Sequence, residues 1–383
     1  MKIVALGELL EPAQVKRAGS TELPVLSMTM HEGLVTQSDR FKKRIASLDT
    51  SEYKVVKRGQ LVVGFPIDEG VLDFQMQHDE AVVSPAYGIW NVRDDTLVDR
   101  SYLKLFLTSP RAITYYTGKM KGSTARRRSL PASEFRAMPV PLPTLPEQRR
   151  IAAILDRADA LRAKRRQVLA HLDALTSATF ESMFNGRESP LTPIGDHIID
   201  QQIGLVRSGA LQGQDRQHDY LRMDAITGDG KLDLSNVTRV DATPSEVAKY
   251  SVRDGDLLLN TRNSRELVGK TAVYRGKPRL YNNNIMRIRF SNTLRADYVH
   301  QFLWSSSGQR QLEARKSGTT SVFAVYGKSL ATLLVPIPPL SSQVAFTERA
   351  AVICRQRLSI ERALAGDDEL FASLQSRAFR GEL

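Results

Sequence analysis

Apolar residues recur along two stretches of this chain at alternating steps of three and four, the pattern of a helix with one buried stripe. In the first stretch the stripe runs through Ile151, Ile154, Ala158, Leu161, Val168, Leu172 and Leu175. Arg165 and Thr179 are its polar exceptions, and Arg149, Arg150, Asp156, Arg162, Lys164 and Arg166 occupy the opposite face. The second stripe runs through Phe346, Ala350, Ile353, Ile360, Leu364, Phe371 and Leu374. Pro146 suits a first helical turn, and Glu147 stands where the helix dipole is positive. Gly366-Asp367-Asp368 falls inside the second stretch; Gly costs about 1 kcal/mol relative to Ala in a helix, so a kink or break is expected there. Neither stripe is stable in water and each is the natural cover for the other, which predicts an antiparallel, coiled-coil-like pair. Some 37 helical residues at about 1.5 Å each span roughly 55 Å, more than a compact core requires, and antiparallel pairing would place what precedes each helix at opposite ends of a rod.

What precedes each helix alternates differently. Short β-like runs, Leu61-Val62-Val63, Ala81-Val82-Val83, Leu257-Leu258-Leu259 and Thr271-Ala272-Val273-Tyr274, are separated by turn residues. Helical pieces are expected to follow the Tyr-x-x-x-Phe-Leu segments at Tyr102 and Tyr298. The fold class is therefore α/β or α+β.

The two halves repeat. Val140-Pro141-Leu142-Pro143-Thr144-Leu145-Pro146-Glu147-Gln148 returns as Val335-Pro336-Ile337-Pro338-Pro339-Leu340-Ser341-Ser342-Gln343. The offset then holds without a gap: Leu175 matches Leu370, Phe184 matches Phe379, and Gly186 matches Gly381. Upstream, Gly59-Gln60-Leu61 answers Gly255-Asp256-Leu257, and Tyr102-Leu103 answers Tyr298-Val299. A period this long is a duplicated globule-plus-helix, able to form a pseudo-twofold molecule, rather than a solenoid. The predicted boundaries are a globule over 1–139, a helix region over 140–187, a globule over 188–334 and a helix region over 335–383.

Composition changes this picture in two ways. The net charge of +12 sits mainly in the globules, whereas the helical stretches are near neutral, so a polyanion such as DNA would be drawn to the globules. A basic but inert surface is the competing reading. One cysteine excludes an internal disulfide framework, and Cys354 is expected as a small buried hydrophobe. No apolar run approaches the roughly 18 residues of a membrane span, and the first residues lack a signal-peptide pattern, which points to the cytoplasm without a membrane partner.

The candidate DNA contacts lie in loops where guanidinium groups could fork to guanine, amides to adenine, and hydroxyl or ammonium groups to phosphate. They are Lys119, Lys121, Thr124, Arg126, Arg127 and Arg128 in the first globule. In the second they are Arg262, Asn263, Arg265, Lys270, Arg315, Lys316, Thr319 and Thr320. Enzyme motifs fail on spacing. Gly269-Lys270-Thr271 lacks the upstream glycine of a phosphate loop, where Ser264 stands. His31-Glu32 lacks a second histidine, and no metal is expected. Glu52-Tyr53-Lys54 and Asp229-Gly230-Lys231 have an acid-x-Lys spacing seen in nucleases, but no further carboxylates can be assigned to hold a metal.

The duplicated Val-Pro-Leu-Pro and Val-Pro-Ile-Pro entries, the two long helices, and the run from Tyr220-Leu221-Arg222-Met223 through Gly255-Asp256-Leu257-Leu258-Leu259 to Val268-Gly269-Lys270-Thr271 together resemble the specificity subunit of type I restriction-modification systems. The likeness covers essentially the whole chain. It implies that each globule is a target recognition domain reading one half of a split site in double-stranded DNA. It implies that the helices set the spacing and dock two methyltransferase subunits, with restriction/translocase subunits completing the complex. S-adenosylmethionine, ATP and Mg would then belong to those partners, with no cofactor bound by this chain. Ser341 and Ser342 replace Pro146 and Glu147, so the two docking surfaces are expected to differ in strength. A degenerate nuclease or methyltransferase, and a duplicated scaffold without DNA specificity, remain the alternatives.

Overall fold

The computed structural model describes residues 1–29, 33–40, 49–121, 129–186, 189–235, 237–318 and 322–383. It divides into two compact units, Met1–Arg166 with Arg362–Leu383, and Gln167–Glu361.

Unit 1 opens with Lys2–Ala5 antiparallel to Pro139–Leu142, in the register Lys2 to Leu142 and Ala5 to Pro139. Its main sheet runs in the antiparallel order Leu10–Pro12, Gly88–Val92, Leu61–Val63, Leu72–Phe74. Helices Arg100–Leu107 and Pro110–Lys119 cover it. Each starts on a side-chain cap: Asp99 accepts from the Tyr102 amide, and Ser109 from the Ala112 amide with Pro110 at the first turn. The core gathers Leu10, Leu61, Trp90, Tyr102 and Phe106 with Ile151 and Leu155 from the start of the first long helix and Phe379 from the end of the chain.

Unit 2 opens in the same way, with Leu191–Pro193 antiparallel to Leu334–Pro336. One sheet has the order Ile198–Ile203, Ile285–Phe290, Leu257–Asn260, Thr271–Val273. A second has the order Thr238–Val240, His218–Leu221, Arg279–Tyr281, Ser251–Val252 and contains one parallel pair. Helices Ala296–Trp304 and Ser306–Glu313 are its counterparts of the unit 1 pair. They pack so closely that a Cβ on Gly308 would lie 2.2 Å from the Phe302 carbonyl oxygen. The Tyr-x-x-x-Phe-Leu segments thus lie inside the first helix of each pair rather than ahead of it, since the Tyr, Phe and Leu side chains form that helix's buried face.

The repeat is visible in hydrogen bonds. Gln148 is fully buried. Its Oε1 accepts from the Asp99 amide at 2.8 Å, and its Nε2 donates to the Leu97 and Pro143 carbonyls at 2.9 and 3.0 Å. Gln343, also fully buried, accepts from Arg295 N at 2.9 Å and donates to Thr293 O and Pro338 O at 3.1 and 2.9 Å. In both units one side chain therefore ties the helix entry to the loop before a globule helix. Tyr102 Oη donates to Pro141 O at 2.7 Å, and Tyr298 Oη to Pro336 O at 2.8 Å. Gly59 and Gly255 both adopt positive φ, 83° and 87°, at the turn before a central strand.

The long helices are Leu145–Phe184 and Leu340–Ala378. Within unit 1, residues 145–166 pack against the end of the second helix; within unit 2, residues 167–184 pack against its beginning, so the pairing is antiparallel. Three sequence expectations are corrected. The second helix continues through Gly366-Asp367-Asp368 without a break. Its two acids lie on the seam, where Arg162 Nε donates to Asp368 Oδ1 at 2.6 Å and Arg165 Nε to Asp367 Oδ2, which offsets the low helix propensity of Gly. Cys354 is exposed. Leu161, Val168 and Leu175 are 44%, 41% and 49% exposed and lie off the seam.

The observed seam on the first helix is Ile151, Leu155, Ala158, Arg162, Arg165, Leu169, Leu172, Thr176 and Phe180. It keeps the heptad step but moves every second position one residue on from the expected stripe, leaving Ile154 partly buried at its flank. The physical reason is Arg162, whose guanidinium lies 4.4 Å over the Phe371 ring while it pairs with Asp368. An arginine so placed occupies a seam position that hydrophobicity alone would give to Leu161. On the second helix Phe346 is buried, and Ala350, Ile353, Ile360, Leu364 and Phe371 are partly buried.

Candidate nucleic-acid interface

Four of the sequence candidates, Thr124, Arg126, Arg127 and Arg128, lie outside the described residues, as do Thr319, Thr320 and His31. In unit 1, Lys119 ends its helix and pairs with Glu134 at 3.4 Å, and Lys121 is exposed beside its backbone partner Ser129.

Most unit 2 candidates make contacts within the unit. Arg315 donates from Nη1 to Gln311 O at 2.8 Å, from Nη2 to Thr332 O at 2.9 Å and from Nε to Ser329 O at 3.0 Å, stitching a helix end to a loop. Lys316 Nζ donates to Arg265 O at 2.7 Å and pairs with Glu313 at 2.9 Å, its side chain only 11% exposed. Arg265 also pairs with Glu313, at 2.7 Å. Lys270 lies 4.1 Å over the Trp304 ring, and burial, helped by the nearby Lys316 charge, holds its ammonium below the ordinary lysine value. Their charges hold one corner of the unit together. Asn263 is partly buried and accepts from the Ser264 amide at 2.8 Å.

Arg262 is different. The run expected as a loop contains a short strand, Arg262–Asn263, paired with Phe323–Ala324, which in turn pairs with Ser317–Gly318. Thr261 anchors this strand from behind: its Oγ1 donates to Asn284 O at 3.0 Å, and its carbonyl accepts from the Val325 amide at 2.9 Å. Arg262 is exposed, with no carboxylate partner among the described residues. It lines a cleft of about 720 Å³ shared with Gln201, Ile203, Gly204, Val206, Asn283, Tyr326 and Lys328. A Cβ on Gly204 would lie 2.2 Å from Tyr281 O, so only Gly lets the wall close onto the sheet. The lining carries two cations and no carboxylate.

Sequence reasoning missed Gln201, Asn283, Tyr326 and Lys328. Ala324-Val325-Tyr326-Gly327-Lys328 offered a signal, an aromatic and a cation around a glycine, but only the fold brings it beside Arg262. Neither acid-x-Lys triplet joins a metal-holding acid cluster among the described residues. Lys54 Nζ donates to Tyr87 O at 2.7 Å, away from Glu52, which pairs with Arg17. Lys231 bridges Asp229 at 2.8 Å and Asp173 at 2.7 Å, tying a turn to the first long helix. Among the described residues no group of three His, Cys, Asp or Glu side chains could hold a metal ion, and no helix is long and apolar enough to cross a membrane.

No family model matches the chain. It is 23% identical over 317 residues to the type I restriction enzyme EcoKI specificity subunit of Escherichia coli (strain K12), covering 76% of this chain and 67% of that protein. It is 24% identical over 318 residues, with the same coverage, to the StySPI specificity subunit of Salmonella potsdam. Among solved structures, the S subunit of a type I restriction-modification system from M. genitalium superposes with a TM-score of 0.58 at 10% identity, covering 99% of this chain and 96% of that one. A chain solved in work on complex assembly and conformational transition of the type I R-M system superposes at 0.56 and 15% identity, covering 100% and 98%. The sequence relatives are type I restriction enzyme specificity subunits, and the chain shares the fold of the solved S subunit.

Proposed function

We propose that the chain gives a type I restriction-modification enzyme its DNA sequence specificity, each unit reading one half of a bipartite double-stranded target. The observation that carries this is the duplication: two units with the same clamps and the same helix contacts differ in the side chains at their recognition loops. In this reading the chain performs no chemistry. Adenine methylation with S-adenosylmethionine, and ATP- and Mg-dependent translocation and cleavage, belong to two methyltransferase subunits and to restriction subunits in the cytoplasm.

The long helices supply the docking surface for the methyltransferase subunits. Leu161, Val168 and Leu175 recur every seven residues outside the seam and are exposed, as are Val352, Leu358 and Leu370 on the second helix. Such exposed apolar residues at helical spacing suit partner helices.

Sequencing of methylated adenines in cells carrying the chain with its methyltransferase partner, against cells lacking only the chain, tests the proposal. A split motif that disappears with the chain is expected. Identical methylation in both strains, with soluble chain and an active partner, would overturn it. Leu161→Asp with Val168→Asp should leave the seam intact and abolish co-purification with the methyltransferase subunits; retained co-purification would remove this stripe from the docking surface.

A further inference from the structure

Unit 2's cleft narrows where specificity resides. We propose that it is the base-reading site for that unit's half of the DNA target. Arg262, Gln201 and Asn283 read base edges, Tyr326 and Val206 give apolar contact, and Lys328 holds a phosphate. This assignment rests on the DNA-specificity reading above.

Charge selects the ligand. Several arginines elsewhere in unit 2 pair with carboxylates: Arg207 with Glu246 at 2.9 Å, Arg275 with Asp297 at 2.6 Å, Arg289 with Asp256 at 2.7 Å. At the cleft two cations face solvent with no acid in the lining. A lining with two cations and no acid attracts a polyanion.

Shape and chemistry select bases over phosphate alone. Val206 and Tyr326 are 67% and 56% exposed, a cost in water that contact with a thymine methyl or deoxyribose would offset. Gln201 and Asn283 present amides, the group that pairs two-pronged with adenine. Arg262 stands on a strand whose backbone is paired with Ala324, so its guanidinium fork starts from a fixed point, as reading guanine O6 and N7 demands. A Cβ on Gly327 would approach the Gln201 side chain to 3.1 Å, so glycine there keeps the Gln201 amide unobstructed.

The experiment maps the methylated motif of the assembled complex carrying Arg262→Ala, Arg262→Lys, Gln201→Ala or Lys328→Ala, and measures DNA binding against salt. Arg262→Ala should relax one base pair in one half of the motif, with discrimination there falling about tenfold or more, and leave the other half unchanged. Arg262→Lys keeps the charge but loses the fork, so it should relax the same position while retaining the salt slope. Lys328→Ala should leave the motif intact, weaken binding to all sequences and lower the salt slope by about one ion. If the wild-type complex yields no split motif, the specificity reading itself fails. If wild type yields one and the Arg262 and Gln201 variants methylate it unchanged, the cleft assignment alone fails. Loss of all methylation by Arg262→Ala, with Arg262→Lys fully faithful to the motif, would reduce Arg262 to a phosphate contact and also overturn the assignment.

Discussion

Unit 1 and unit 2 share a frame and differ at its tip. Each has the buried glutamine clamp, the tyrosine bond to a proline carbonyl, and an aromatic lid from the end of a long helix. Phe379 lies 5.8 Å from Tyr102, and Phe184 lies 4.9 Å from Tyr298, both edge-on. By the register of the repeat, however, exposed Arg262 and partly buried Asn263 correspond to Pro66 and Ile67. Pro66 precedes a short 3-10 turn, and Ile67 is 6% exposed. A proline and a buried isoleucine cannot make the hydrogen bonds of an arginine and an asparagine, so the two units cannot read the same base pairs through these positions. Duplication has preserved what packing and buried hydrogen bonds demand and left the solvent-facing tips free to diverge.

The largest effect should come from the lids. Phe379→Ala should cost unit 1 about 3–5 kcal/mol, since the ring is buried against Tyr102 and Phe106. Phe184 is only partly buried, so Phe184→Ala should cost unit 2 less; hydrogen exchange resolved by unit would show each loss confined to its own unit. Equal losses spread over both units would refute the separation.

Next come the clamps. Gln148→Leu or Gln343→Leu strands one buried amide and two carbonyls, at about 2–3 kcal/mol each. The two variants should lower the stability of their own units by similar amounts. A large inequality would mean that the matching bonds are not energetically matched.

Acid should separate the units further. Burial holds the His300 imidazole down at about 4, partly countered by Asp297, while its Nδ1 lies 3.0 Å from Thr271 Oγ1. Unfolded His binds a proton near 6.5, so the unfolded state takes up protons first as pH falls. Unit 2 therefore keeps this stability above about pH 6.5 and loses it on descent toward 4. The full shift would be worth roughly 3 kcal/mol. The ring is only partly shielded from solvent, which brings the expected loss nearer 1–2 kcal/mol. The unit 1 counterpart is Lys104, paired with Asp73 at 2.6 Å. His300→Gln should remove this part of unit 2's acid sensitivity in a pH series of unfolding curves; an unchanged profile would count against it.

The smallest effect concerns a duplicated ion pair. Arg162 meets Asp368 at 2.6 Å, and its repeat mate Arg357 meets Asp173, the mate of Asp368, at 3.4 Å. Arg162→Met should cost about 1 kcal/mol and Arg357→Met somewhat less, because only Arg162 also lies over an aromatic ring. Thermal unfolding of the two variants would rank them.

Much of the frame was legible because it repeats: helix length, antiparallel pairing, the strand runs, and the glycines at Gly59 and Gly255 all show as matched residues. The seam was shifted because periodicity weighs Leu161 above Arg162, and nothing local reveals the acid and the ring that make Arg162 the buried one. Gly366-Asp367-Asp368 failed as a break for the same reason, since its acids answer arginines about 200 positions away. The candidate site was the least legible part. Arg262, Arg265, Arg315 and Lys316 are alike as basic loop residues, and only the placement of Glu313, Gln311 and Thr332 separates the three bonded within the unit from Arg262, which has no carboxylate partner among the described residues.

The lid on unit 1 also bears on synthesis. Residues 167–361 form an uninterrupted stretch of chain, whereas the core that begins near Met1 is closed by Phe379. As translation proceeds from the N-terminus, unit 2 has all its residues in hand while unit 1 still waits for its last one. Unit 1 thus starts to emerge before unit 2 but completes its core after it.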